Sequence, residues 1–227
     1  MLKTIIFDFD GIIADTEPIH LEAFKIVLKD FSIELTDEDY FNKYLAYDDK
    51  TLFDKILLES GKDNSPVVIN NLIDKKHIII KSLIESNVVL FPGFTDFIKL
   101  IQNRYLICIA SGALLAEIEL ILNKFRLLNF FHSITSADEV INCKPDPEPF
   151  IKALGKINKN RENMIKPSEC LVIEDSIHGV DAAVAAGMSC VGITNSYNHE
   201  MLKDANVVVD SFNELNIDII ENIFIAD

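Results

Sequence analysis

The sequence predicts an α/β fold: a parallel β-sheet core with helices on both faces, and an all-helical segment inserted near its start. Three observations lead there. Short apolar runs recur along the chain without strict polar alternation, which suits strands covered on both faces. Stretches of helical periodicity separate them, and regular alternation of strand and helix is the pattern of a parallel sheet. One long stretch breaks that alternation and carries helical patterns alone.

The first apolar run covers residues 3–7 and ends in Asp8-Phe9-Asp10-Gly11. Helical patterns follow at 19–31, 37–41, 51–60 and 67–84 with no convincing strand among them. The stretch 88–93 ends in Pro92-Gly93, a turn signal at which the chain re-enters the main domain. Strand-like runs at 105–110, 133–135, 170–174, 189–193 and 206–209 then alternate with helical patterns at 94–102, 114–125, 148–156 and 177–186. The expected organisation is a core of residues 1–15 and 88–227 with a helical insertion at 16–87.

With 227 residues, 49% of them hydrophobic, the chain can bury a substantial core. A formal net charge of -15 repels nucleic-acid backbones and anionic membrane surfaces, so neither is an expected partner. That charge says little about small anionic substrates, because a bound cation reverses the sign of a pocket locally. The four cysteines, Cys108, Cys143, Cys170 and Cys190, show no CxxC spacing, and three lie in or beside apolar runs. Buried free thiols in a reducing cytosol are expected. Residues 1–11 are too briefly apolar for a signal segment, and no stretch offers ~18 uninterrupted apolar residues, so a cytoplasmic protein is expected.

In open parallel sheets ligands bind beyond the carboxyl ends of the strands. Four polar groups stand at such places: Asp8 to Gly11, Ser111-Gly112, Lys144-Pro145-Asp146-Pro147 and Glu174-Asp175-Ser176. Asp8 and Asp10 are two residues apart, so extended chain would point both to one side, with Gly11 free to turn away beneath them. Two close carboxylates repel unless neutralised, and a hard divalent cation such as Mg2+ does so while keeping positions for water and phosphate oxygens. Asp175 and Glu174 would supply further ligands beside Asp8 and Asp10.

Given that cation, Asp8 is a candidate carboxylate nucleophile on phosphorus, since phosphoryl transfer needs positioning and charge neutralisation above all. Asp10 would protonate the leaving oxygen and later take a proton from water, with a pKa raised by burial and its neighbour. Ser111 and the amides around Gly112, at a helix start, suit phosphoryl oxygens, and Lys144 adds a fixed positive charge. Taken singly, each feature has a structural reading: a surface turn, a strand-to-helix turn, a solvated loop, a helix cap. Their joint order at strand ends favours chemistry.

In that order DFDGIIADT at 8–16, ASG at 110–112, KPDP at 144–147 and IEDSIHG at 173–179 resemble the four motifs of the haloacid dehalogenase superfamily. The resemblance implies a Rossmann-like core, Mg2+ as cofactor and an aspartyl-phosphate intermediate on Asp8. It implies a metal held by Asp8, the backbone carbonyl of Asp10 and Asp175, with Glu174 direct or through water. An insertion after the first motif is similar to the subgroup with a small helical cap. Dehalogenases and phosphonate-cleaving members usually lack the second aspartate, so Asp10 argues for phosphate esters.

The stretch DTEPIH at 15–20 resembles the sugar-phosphate phosphatase and beta-phosphoglucomutase branch, which makes Thr16, Glu17 and His20 candidate hinge or substrate residues. Mutases of that branch carry a cap-loop arginine for a second phosphate, whereas YLAYDDK at 44–50 has none. Lys50 could serve there as a point charge but not as a fork, and Asp48 and Asp49 would repel phosphate unless turned outward. Lys76, with Lys75, lies near the position of a cap lysine, although solvation is the ordinary fate of such residues on a helix surface.

The expected function is a Mg2+-dependent phosphatase acting on a small phosphorylated metabolite, a sugar or polyol phosphate. The enzyme alternative is a phosphosugar mutase, which differs in whether water or a sugar hydroxyl takes the phosphoryl group. From another class, a non-catalytic phospho-accepting or phosphometabolite-binding module shares the acidic cluster, yet receiver domains are about half this length and have no cap insertion. No GxxxxGK[ST] loop is present, which disfavours an ATP-driven kinase.

Overall fold

The computed structural model describes residues 1–45 and 47–225. Ala46 of the 44–50 loop, and the last two residues of the expected core, lie outside the described residues. The elements in chain order are β1 (Thr4–Phe7), β2 (Ala14–Asp15), α1 (Glu17–Lys29), α2 (Asp37–Asp39) running into a π-helical turn (Tyr40–Tyr44), α3 (Asp49–Glu59) and α4 (Pro66–Asn87). There follow β3 (Val89–Leu90), α5 (Phe94–Ile101), β4 (Leu106–Ala110), α6 (Leu115–Lys124), β5 (Ser133–Thr135) and α7 (Glu148–Asn158). The chain ends with β6 (Cys170–Glu174), α8 (Ile177–Ala185), β7 (Ser189–Ile193), β8 (Val207–Val209) and α9 (Ile217–Asn222). It divides into two compact units, one of Met1–Asp15 with Val89–Asp227 and one of Thr16–Val88.

In the larger unit six strands form one sheet in the order β5-β4-β1-β6-β7-β8, every pairing parallel. This is a Rossmann-like α/β sheet, and the period-2 alternation of β1 shows why it has two covered faces. Ile6 packs with Phe150 of α7 and Val180 of α8, whereas Phe7 points the other way, edge-on to Phe94 of α5 at 5.7 Å between ring centroids. Phe97, Phe131 and Phe212 complete that second, aromatic layer around Phe7.

The register places the strand ends together. Phe7 of β1 lies level with Ile109 of β4 and Ile173 of β6, so Asp8 and Glu174, each one residue further, emerge side by side. The backbone N–H of Asp8 donates to the Ile173 carbonyl at 3.0 Å and continues the ladder past the strand end. The structure corrects the reading of 88–93 as a turn alone: β3 pairs antiparallel with β2, Ala14 opposite Leu90 and Asp15 opposite Val89. A ladder of two residues is too short to leave a periodic signal. The C-terminal α9 also escaped the sequence reading.

The smaller unit is all-helical and has its own apolar cluster. Leu21, Phe24 and Leu28 of α1, spaced along one face, meet Leu52, Phe53, Ile56 and Leu57 of α3 and Ile69 and Leu72 of α4. Side-chain caps start two of the helices: Thr36 Oγ1 accepts from Asp39 N at 3.1 Å, and Asp48 Oδ1 accepts from Thr51 N at 2.8 Å. Among the described residues no helix is long and apolar enough to cross a membrane. Cys108, Cys170 and Cys190 are buried free thiols, and Cys143 is an exposed one.

Candidate active site

A cavity of about 270 Å3 in the larger unit is lined by Asp8, Asp10, Ser111, Gly112, Val140, Cys143, Lys144, Pro149, Ser176 and His178. It collects residues from all four groups that the sequence put beyond strand ends. Parallel strands bring them together, because every strand leaves the sheet at the same edge.

Behind the cavity, carboxylate oxygens of Asp8, Glu174 and Asp175 lie within 4.8 Å of one another, all three side chains buried. Lys144 Nζ stands 2.8 Å from Asp8 Oδ1 and 2.6 Å from Glu174 Oε1. The contact with Asp8 is ionic: its buried Oδ1 receives no aligned hydrogen bond from the described residues. Three carboxylates against one ammonium leave two uncompensated negative charges when all are ionised.

The electrostatics carry that excess. Burial pushes the Asp8 carboxyl up to about 7, with Lys144 opposing the rise and Glu174 and Asp10 adding to it. Asp175 is held well above the usual carboxylate range by burial and then by Glu174 and Asp8. Glu174 goes the other way: although burial opposes its charge, Lys144 and the Ser176 donors keep it below its ordinary value. Lys144 is raised, since Asp8 and Glu174 together outweigh the cost of burying its charge.

Two glycines make room for this cluster. A Cβ on Gly11, whose φ is +76°, would lie 2.0 Å from Asp175 Oδ2. One on Gly179 would lie 1.8 Å from Glu174 Oε1. The sequence reading gave Gly11 a turning role; the carboxylate that occupies its missing side chain is visible only in the fold.

Glu174 is more heavily engaged than its place beside Asp175 implies. Its Oε2 accepts from Asp175 N, Ser176 N and Ser176 Oγ, each at 2.9 Å, while Oε1 faces Lys144. Asp10 is half-buried, beyond the last residue of β1, at an isolated bridge to Ala14. Ser111 is buried, and its Oγ accepts from Ala113 N at 3.1 Å. The helix start expected at Gly112 comes later, at Leu115.

The donor set fits a hard divalent cation. It is all oxygen, its three carboxylates are buried within 4.8 Å of one another, and when all are ionised its uncompensated charge equals that of one such ion. Asp8, Glu174 and Asp175 are the side chains that could hold one, and of these Glu174 has both oxygens engaged, with Lys144 and with the Asp175 and Ser176 donors.

In the smaller unit Lys76 is buried rather than solvated. Its Nζ lies 2.5 Å from Asp49 Oδ1, 3.1 Å from His20 Nδ1 and 3.9 Å from the Phe24 ring centroid. Asp48 is spent as the α3 cap, and Lys50 is exposed. Thr16 is buried, and its carbonyl accepts the Ile19 and His20 N–H groups. Glu17 accepts a hydrogen bond from Tyr40 Oη.

His20 is lowered to about 3, by burial first and by Lys76 and His77 after it. Its folded value thus lies below its ordinary 6.5, so the unfolded chain binds the proton first as pH falls. Stability is expected to be unaffected by His20 above pH 6.5 and to fall between there and pH 3, by at most about 1.4 kcal/mol per pH unit. Thermal unfolding from pH 7 to pH 4 checks this against His20→Gln, which should show a shallower decline; equal slopes would remove His20 from the account.

Sequence reasoning missed Asn195 and Ser196. Ser196 Oγ donates to Asp175 Oδ2, and Asn195 Nδ2 donates to the Gly11 carbonyl at 2.6 Å. Their run, Thr194-Asn195-Ser196-Tyr197-Asn198, reads as an ordinary polar loop, and nothing local reveals contacts across 184 residues of chain.

Comparison with known proteins gives a consistent picture. A family model described as haloacid dehalogenase-like hydrolase matches residues 5–193. The chain is 27% identical to a phosphorylated carbohydrates phosphatase of Thermotoga maritima, covering 87% of this chain and 88% of that one. It is 28% identical to the fructose-1-phosphate phosphatase YqaB of Escherichia coli, over 83% of this chain and 95% of that one. The crystal structure of beta-phosphoglucomutase from Clostridium difficile superposes with a TM-score of 0.82 at 28% identity, covering 100% of this chain and 98% of the other.

Proposed function

The chain belongs to the haloacid dehalogenase-like hydrolases, and from that premise we propose that it is a Mg2+-dependent phosphatase of a small sugar or polyol monophosphate, working through Asp8. Phosphatase or phosphomutase chemistry on phosphorylated sugars is common ground among the named relatives. The observation that carries the finer reading is the cavity that joins Asp8 and Asp10 to Ser111, Gly112 and Lys144, over a carboxylate cluster with two charges to spare.

In this reading an Asp8 carboxylate oxygen attacks phosphorus, and the bond from phosphorus to the ester oxygen breaks. Asp10 gives that oxygen its proton, so the alcohol leaves neutral. Asp10 then takes a proton from water, whose oxygen attacks the same phosphorus, and the acyl–phosphate bond opens to free phosphate and restore Asp8. Ser111 and the amides near Gly112 orient phosphoryl oxygens, and Lys144 opposes their charge. Bound Mg2+ supplies the remaining neutralisation of carboxylates and phosphoryl oxygens. The helical unit Thr16–Val88 is the part assigned to choosing the leaving group, with Thr16, Glu17, His20, Lys50 and Lys76 as its candidate residues.

The likeness to beta-phosphoglucomutase favours a mutase as second reading. Against it, the 44–50 loop has no arginine, and the charge of Lys76 is already met by Asp49. Purified protein with Mg2+ and a panel of sugar and polyol monophosphates separates the two. Release of free phosphate without a bisphosphate activator is expected. Isomerised product that depends on a bisphosphate would establish the mutase instead, and no turnover with Mg2+ bound would leave a binding protein.

A further inference from the structure

We infer that the loop after β7 acts as a clamp on the cation site, with Ser196 and Asn195 as positioning residues; this rests on the Mg2+-dependent reading above. The loop is itself anchored. Thr194 N donates to the Val209 carbonyl at 3.0 Å, and Thr194 Oγ1 donates to Asp210 Oδ1 at 2.8 Å, so the chain leaves β7 tied to the end of β8. From that base Asn195 reaches the Gly11 carbonyl at 2.6 Å and Ser196 reaches Asp175 Oδ2.

The two contacts act on one structural joint. Asp175 Oδ2 rests over Gly11, in the space a Cβ would fill, so Asp175 is fixed relative to the Asp8–Gly11 turn only while that turn stays in place. Asn195 holds the turn through its carbonyl. Ser196 holds the carboxylate: with Oδ2 bonded, rotation about the last side-chain torsion is arrested. The carboxylate belongs to a cluster whose members are buried and mutually repelling, where an unrestrained one would swing away. Hydrogen bonds to a ligating carboxylate from outside the coordination sphere are a known determinant of metal affinity.

Ser196 is exposed, so removing its hydroxyl leaves no cavity in the core. Ser196→Ala is expected to weaken Mg2+ binding about 10-fold in a calorimetric titration of the protein without substrate. Its thermal midpoint without metal should stay unchanged. In phosphate release the Mg2+ concentration for half-maximal rate should rise in the same proportion, with kcat recovered at saturating Mg2+. Ser196→Thr, which keeps a hydroxyl, should restore the affinity, and Asn195→Ala should weaken it in the same direction. A parent that binds Mg2+, with Ser196→Ala binding equally well, overturns the clamp alone. A parent that binds no Mg2+ overturns both the clamp and the reading on which it rests.

Discussion

Asp8→Asn is expected to reduce phosphate release by roughly 10,000-fold or more, to the level of the buffer. The substitution is nearly isosteric and removes the group assigned to attack phosphorus. It also removes one of the crowded charges, so the folded protein should be no less stable, and a stability loss cannot be the cause of inactivity. Two measurements together check this: phosphate release with Mg2+ saturating, and the thermal midpoint of the same sample. Acid quenching of the parent with substrate labelled in the phosphoryl group should trap label on the protein, and Asp8→Asn should trap none. Phosphate release that survives the substitution would sink the nucleophile assignment.

Lys144→Met should cost about 3 kcal/mol of stability in metal-free protein at neutral pH, with at least a 100-fold loss of phosphate release. Methionine keeps much of the stem volume beside Phe150 but leaves Asp8 and Glu174 facing each other without their shared cation. Breaking a buried ion pair from one side is costly because the remaining charge has nowhere to go. The same bookkeeping predicts that Mg2+ raises the thermal midpoint of the variant more than that of the parent, since it meets a larger uncompensated charge. Unfolding curves with Mg2+ and with chelator test this, and a midpoint unchanged by the substitution would show that the cluster is not charge-limited.

Much of the fold was legible because its signals are local. The six sheet strands announce themselves as apolar runs of three to five residues that end in polar or small ones, and the parallel arrangement follows from the helices between them. The β2–β3 ladder was not legible, since two residues on each side carry no period. Lys76 gave a misleading signal. Its charge reads as solvated although it falls on the buried face of α4 between Leu72 and Ile80, and its neighbours Asp49, His20 and Phe24, brought in from α3 and α1, help make burying that charge tolerable.

The sequence by itself determined which chemical groups stand at the strand ends and in what order: Asp8 and Asp10, Ser111 and Gly112, Lys144, Glu174 and Asp175. Strand periodicity and the common exit edge of a parallel sheet were enough for that. The tertiary structure decided how those groups share charge and donors. It engages both oxygens of Glu174, presses Asp175 against the bare backbone of Gly11, and brings Asn195 and Ser196 to the same joint. The physical reason is range: backbone periodicity is written in neighbouring residues, whereas a hydrogen bond between residues 195 and 11 depends on the whole sheet being built first.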